Sequence, residues 1–198
     1  MTTPEPRPAA GRPVGELLDG YRPADESEAA DVARLRELAR TAANPWLRSI
    51  PLHVTASALI VHPGSGAILL RWHQRQQSWL QVGGHADPGE CEPLRIALRE
   101  AAEETGLTDL EPWPDASVRH VVIVPVPAAG TEPAHEHGDI RFVLATRNPD
   151  AARAERPDAP LRWLTPREAS AATSEANLKE TLRRAGRLRQ AGPGGASA

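Results

Sequence analysis

Residues 83–107 constrain this chain more than any other stretch. They open on Gly83-Gly84, pass through a polar loop containing Pro88 and Gly89, and run without another glycine from Pro93 to Thr105 before meeting Gly106. Proline suits a first helical turn and glycine suits the residue after a last one, so the spacing predicts a helix over 93–105. Leu94, Ala97, Leu98 and Ala101 give that helix an apolar face to lay on a sheet. Glu100, Glu103 and Glu104 stand at i, i+3 and i+4, where carboxylates can converge. Like charges so placed repel by ~0.2–0.5 kcal/mol per pair. A hard divalent cation reverses that sign, because Mg²⁺ and Mn²⁺ take oxygen ligands. Arg99, next in the series, can orient a carboxylate through a bidentate contact, and the two glycines let the backbone pass close to a ligand. Alone, a glutamate pair on a helix is an ordinary solvated face. The whole constellation argues otherwise.

Around this segment the chain reads as an alternation of strands and helices. Strands are expected at 54–61, 67–71, 79–82, 117–126, 139–146 and 161–164, from their apolar and β-branched content and from the Gly/Pro punctuation between them. A helix over 27–43, capped by Ser27, carries Val32, Leu35 and Leu38 on one stripe. Thr165 and Glu168 have capping-box spacing for a short turn, and a closing helix over 174–188 starts at Ser174. This order implies an α/β fold, an α/β/α sandwich on a mixed sheet, with an N-terminal helical extension. The expected division is a disordered tail over 1–13, the helical extension over 14–51, the main domain over 52–190 and a second disordered tail over 191–198. The extension is read as packing or as a homodimer contact.

Composition removes several classes. A formal net charge of -3 leaves no basic footprint for a nucleic acid polymer. No apolar run reaches the ~18 residues of a membrane span. The single cysteine, Cys91, cannot form an intrachain disulfide, which suits a reducing, cytoplasmic setting.

The sequence GHADPGECEPLRIALREAAEETGL, residues 84–107, resembles the Nudix box, G-x5-E-x7-R-E-U-x-E-E-x-G-U, where U is bulky and aliphatic. Gly84 and Glu90 match its first half; Arg99, Glu100, Glu103, Glu104, Gly106 and Leu107 match its second, with Ala101 at an aliphatic position. Eight residues, 91–98, separate Glu90 from Arg99 where the pattern has seven. An extra residue is tolerated in a loop, whereas inside a helix it rotates all that follows by ~100°, and Pro93 favours the loop. Glu90 therefore shares its place with Glu92 and Asp87 as alternatives. The resemblance implies a loop–helix–loop and bound Mg²⁺ (or Mn²⁺), held by Glu100, Glu103 and Glu104 with Arg99 beside them. It also implies hydrolysis of a small-molecule phosphoanhydride: a nucleoside diphosphate linked to another moiety, or a nucleoside triphosphate. The competing class is a catalytically silent Nudix-fold module that senses a nucleotide; loss of box glutamates would mark it, and here they are all present.

Other residues are read as substrate contacts. His135, His137, Asp139 and Arg141 alternate with Ile140, Phe142 and Leu144, so a strand reaching back to His135 would turn all four polar side chains to one face. A polar strand edge is the plainer account, and a separate zinc site the less favoured one. Gly83, Gly84 and His85 are expected to touch the ligand as a close-approach loop. Glu175 is a lesser candidate, and Trp72, Trp79, Trp113 and Trp163 are expected to pack more than to stack a base.

Overall fold

A computed structural model describes residues 13–190 of the chain. The tails expected at 1–13 and 191–198 lie outside the described residues, Pro13 excepted.

Two strands organise the fold. β1 (Leu52–His62) and β7 (His135–Ala145) run parallel and side by side over ten residue pairs. Each outer edge of this pair is shared by two partners. β1 meets β4 (Val82–Gly84) through Ala56–Ala58 and β2 (Ala67–His73) through Ile60–His62, both antiparallel. β7 meets β6 (His120–Val126) over its first half and β5 (Glu111–Pro112) near its end. β3 (Ser78–Leu80) and β8 (Leu161–Leu164) flank β2, completing a mixed eight-stranded sheet.

Alternation sorts the two faces. Even-numbered side chains, Val54, Ala56, Ala58 and Ile60 with Ile140, Phe142 and Leu144, enter a core shared with α1 (Val14–Asp19), α2 (Glu26–Thr41) and α3 (Pro93–Thr105). Odd-numbered Leu59, Val61, Val143 and Ala145 enter a second core, under α4 (Pro166–Ala172) and α5 (Ala176–Gln190). This is the three-layer α/β arrangement on a mixed sheet. On the odd face the first half of the same strands is polar: His53 lies opposite His137, Thr55 opposite Asp139 and Ser57 opposite Arg141. The polarity switch between Ser57 and Leu59 places the site.

Several boundaries differ from those read in the sequence, each for a local reason. α2 is capped by Asp25, whose Oδ1 accepts the Glu28 N–H at 2.9 Å, and starts one residue before the expected cap Ser27. α5 begins at Ala176, after Glu175, so Ser174 is not its cap; Thr173 Oγ1 instead accepts the Glu175 N–H. The expected strand 79–82 is two short strands broken at Gln81. β7 starts at His135, four residues before the core of the strand is legible, because pairing with β1 extends it to Glu136 and pairing with β6 to His135. α3 holds its expected bounds, with Gly106 left-handed at φ 67°. Its buried stripe runs through Ile96, Ala97 and Ala101, with Leu94 and Leu98 at the margin.

The N-terminal helices are built into this core. Val32 and Leu35 of α2 are fully buried, and a Cβ on Gly138 would come within 2.2 Å of the Leu35 side chain. Glu28 and Asp31 accept the N–H groups of Val121 and Ile123, which covers the outer edge of β6. No helix among the described residues is long and apolar enough to cross a membrane.

Candidate active site

The segment 84–107 forms a loop, the helix α3 and a loop. The extra residue lies before the helix: Cys91 and Glu92 precede Pro93, and α3 is a regular helix from there to Thr105. Glu90 faces the helix guanidinium directly. Arg99 Nε lies 3.1 Å from Glu90 Oε1 and Nη2 2.9 Å from Oε2, and the Asp87 N–H donates to Glu90 Oε2 at 2.8 Å. These bonds hold the Glu90 carboxyl below its ordinary value. Asp87 is farther from Arg99, at 3.7 Å. Arg99 also donates through Nη1 to Glu100 and Glu103, both at 3.0 Å, and through Nη2 to the His85 carbonyl. One guanidinium thus ties the loop to two helix carboxylates.

The three glutamates are not equivalent. The Glu100 and Glu104 side chains are 15% and 13% exposed, against 52% for Glu103. Residues 97, 101 and 104 share the buried side of the helix, so Glu104 and its neighbour Glu100 face the Gly83-Gly84 strand while Glu103 faces out. Glu104 Oε2 accepts the Gly83 N–H at 3.1 Å, and Oε1 pairs with Arg71 at 3.2 Å. Burial raises Glu104 to about 7 despite Arg71, and raises Glu100 despite Arg99. Under-compensated negative charge on oxygen donors is what a hard divalent cation neutralises. Gly84 lets the Glu100 carboxyl approach the backbone closely: a Cβ there would come within 2.6 Å of it. The buried pair Glu100 and Glu104 suits Mg²⁺ or Mn²⁺, which take oxygen ligands, whereas Glu103 faces out and is bonded by Arg99.

Beyond Gly83 and Gly84 opens a cleft of about 280 Å³. Its floor is the polar half of the odd sheet face, with Thr55, Ser57, His137, Asp139 and Arg141; His85, Gln81, Glu175 and Asn177 form walls. The carboxylates of α3 are not in this lining and meet it at the two glycines. Asp139 accepts from Thr55 at 3.2 Å, Ser57 at 2.8 Å and Arg141 Nε at 2.8 Å. Arg141 reaches on to Thr181 and Asn177 of α5. His135 and His137 meet at the upper end, with His53 and His85.

The cleft lining brings together Gly83, Gly84, His85, His137, Asp139, Arg141 and Glu175, with His135 beside His137, while Glu90, Arg99, Glu100, Glu103 and Glu104 lie outside it. Sequence reasoning missed His53, Thr55, Ser57 and Arg71, whose partners are set by strand register. Of the tryptophans, Trp79 packs edge-on to Trp72 at 5.5 Å, and Trp113 and Trp163 pack against the two cores.

A mixed sheet between helical layers, with this loop–helix set against a polar cleft, is the arrangement of one family. The chain belongs to it, the Nudix family: the NUDIX domain profile matches residues 51–185. Among solved structures it is similar to a C. elegans Ap4A hydrolase in a binary complex, at 21% identity and TM-score 0.57, over 70% of this chain and 98% of that one. It is also similar to the E. coli dihydroneopterin triphosphate pyrophosphohydrolase, at 17% identity and TM-score 0.51, covering 66% of this chain and 92% of that one. A NUDIX-family hydrolase from Clostridium perfringens aligns at 21% identity and TM-score 0.51, over 70% and 97%. At such identities the likeness is one of fold. No curated protein matches the chain.

Proposed function

We propose that the protein is a Mg²⁺- or Mn²⁺-dependent hydrolase. Its substrate is a nucleoside diphosphate linked to another moiety, or a nucleoside triphosphate, cut at the phosphoanhydride. The observation that carries this reading is the row of Glu100 and Glu104 against the glycine pair that opens onto the cleft. A divalent ion held by Glu100, Glu103 and Glu104 would neutralise phosphate charge and acidify a bound water. Arg99 keeps the row in place by bonding Glu90, Glu100 and Glu103 at once. Arg141 along the cleft would contact the rest of the substrate.

The test is a phosphate-release screen with Mg²⁺ across nucleoside triphosphates, nucleotide sugars, dinucleoside polyphosphates and nucleotide cofactors. The dinucleoside polyphosphates go first, because one fold neighbour is an Ap4A hydrolase. Glu103→Gln and Glu104→Gln should each lower kcat by ~100-fold or more, the scale of losing one preorganised charge-stabilising group. Turnover that survives both substitutions would sink the metal assignment. Ligand binding without turnover of any phosphoanhydride would instead support the silent sensing module.

A further inference from the structure

Four of the seven histidines of the chain meet at one end of the sheet. His53 is the second residue of β1 and is 1% exposed; His137, its register partner on β7, and His135, two residues earlier, project from the same face. His85 reaches them from the residue after β4. The Nε2 atoms of His53 and His85 are 3.0 Å apart, and those of His135 and His137 are 3.1 Å apart. Ligand nitrogens of His53, His85 and His137 all lie within 4.8 Å of one another. The ring centroids of neighbouring pairs are 4.8 to 5.3 Å apart.

The tautomers follow from the backbone. His53 Nδ1 is 3.0 Å from the Ile50 carbonyl and His135 Nδ1 is 2.9 Å from the Pro133 carbonyl. A carbonyl only accepts, so both Nδ1 atoms carry the proton, and in a neutral ring Nε2 keeps its lone pair. Such a back-bond to a carbonyl is what orients a metal-ligating histidine and raises its basicity. Tetrahedral Zn²⁺ with Zn–N of ~2.0–2.1 Å sets its ligand nitrogens ~3.3 Å apart. The two observed separations lie within a few tenths of an ångström of that.

We propose that His53, His85 and His137 bind one transition-metal ion of the Zn²⁺ type, at a site separate from the carboxylates of α3. These three supply the nitrogens, and His135 stands beside His137 with its Nε2 3.1 Å away. The two sites select different metals: Mg²⁺ keeps to oxygen ligands and near-octahedral geometry, whereas imidazole suits Zn²⁺ and its first-row neighbours. They are divided by two consecutive residues, since Gly84 lies against the Glu100 carboxyl and His85 against His53. The inference stands on this geometry alone and holds whether or not the cleft hydrolyses a phosphoanhydride.

The experiment uses the full chain, stripped with a chelator, loaded with Co²⁺ or Zn²⁺ in excess Mg²⁺, desalted, and assayed for metal by mass spectrometry. The expected result is one equivalent retained per chain, with the intense visible bands of tetrahedral Co²⁺. His85→Ala and His137→Ala, at the less buried positions, should each release the ion on desalting, while Glu103→Gln and Glu104→Gln keep the full equivalent. Circular dichroism establishes that each variant is folded. No retained ion in the wild-type chain overturns the proposal. So does retention unchanged by the histidine substitutions, or retention lost with the glutamate ones.

Discussion

Gly83 and Gly84 are adjacent yet answer to different constraints. A Cβ on Gly83 would sit 2.4 Å from the Ser57 side chain and 2.7 Å from the Ala56 carbonyl, in a backbone at φ 148°. Two of its three nearest contacts belong to the backbone of β1, which cannot step aside while β4 stays paired to it. A Cβ on Gly84 meets instead the Glu100 carboxyl, the end of a movable side chain. Gly83→Ala should therefore lower the thermal midpoint markedly, while Gly84→Ala should leave it within a few degrees and reduce kcat by ~100-fold through a displaced Glu100. Equal losses of stability in the two variants would contradict this division. Residues also show where reading the sequence stops. The i, i+3, i+4 glutamates were legible because helical spacing is local, and so was the cap at Gly106. Which glutamates are buried was not, since that depends on β4 lying against the side of α3 that carries Glu100 and Glu104. His53 was not legible at all. One histidine in an apolar strand says nothing until register sets it beside His137.

At the scale of elements, the contact that most needs explaining joins the first helices to the last. Glu28 of α2 accepts from Arg184 of α5 at 2.8 and 3.0 Å, from Tyr21 at 2.5 Å, and from the N–H groups of Ala24 and Val121. Both charged partners are buried, with side chains 2% and 9% exposed. A buried pair contributes little net stability over apolar packing, but removing one partner strands the other charge. Arg184→Met should therefore cost about 3–5 kcal/mol in urea denaturation, and adding Glu28→Gln should recover much of it. The same pair sets an acid limit. Burial by itself would raise the Glu28 carboxyl, but its hydrogen bonds outweigh this and hold it at about 2, below its ordinary 4.5. A depressed carboxyl stabilises fully above its unfolded value and loses that contribution as pH falls toward the folded one. The urea midpoint should drop between pH 4.5 and 2, and less steeply in the Arg184→Met, Glu28→Gln double variant. An identical slope would place the acid transition elsewhere. None of this was visible in sequence, where Glu28 is one acidic residue in a first helical turn and Arg184 one arginine in a basic closing helix.

For the molecule as a whole, the decisive feature is that one sheet face changes character along its length. Odd positions of β1 and β7 are apolar from Leu59 and Val143 onward, and there the second core, with α4 and α5, covers them. Before that they are Thr55, Ser57, Asp139 and Arg141, and the face stays open as the cleft floor. α5 crosses the boundary: Leu178 and Leu182 enter the apolar half, while Asn177 and Thr181 bond Arg141 at the edge of the polar half. The alternation of polar and apolar residues in β7 is legible in the sequence; that β1 repeats it in register is not, because His53, Thr55 and Ser57 merge into an apolar run. Function and stability can be separated at this boundary. Asp139 and Arg141 are 7% and 4% exposed and paired at 2.8 Å, so Asp139→Leu alone leaves a buried guanidinium without its carboxylate. That variant should lose about 3–5 kcal/mol. Asp139→Leu with Arg141→Met extends the apolar half into the cleft and should regain most of that loss. The double variant should still turn over poorly, because its α3 carboxylates are intact but the cleft has lost its buried cation. The expected signature is a near-normal urea midpoint with kcat/KM reduced by ~100-fold. A double variant as active as the wild type would show that the phosphoanhydride does not lie along this face.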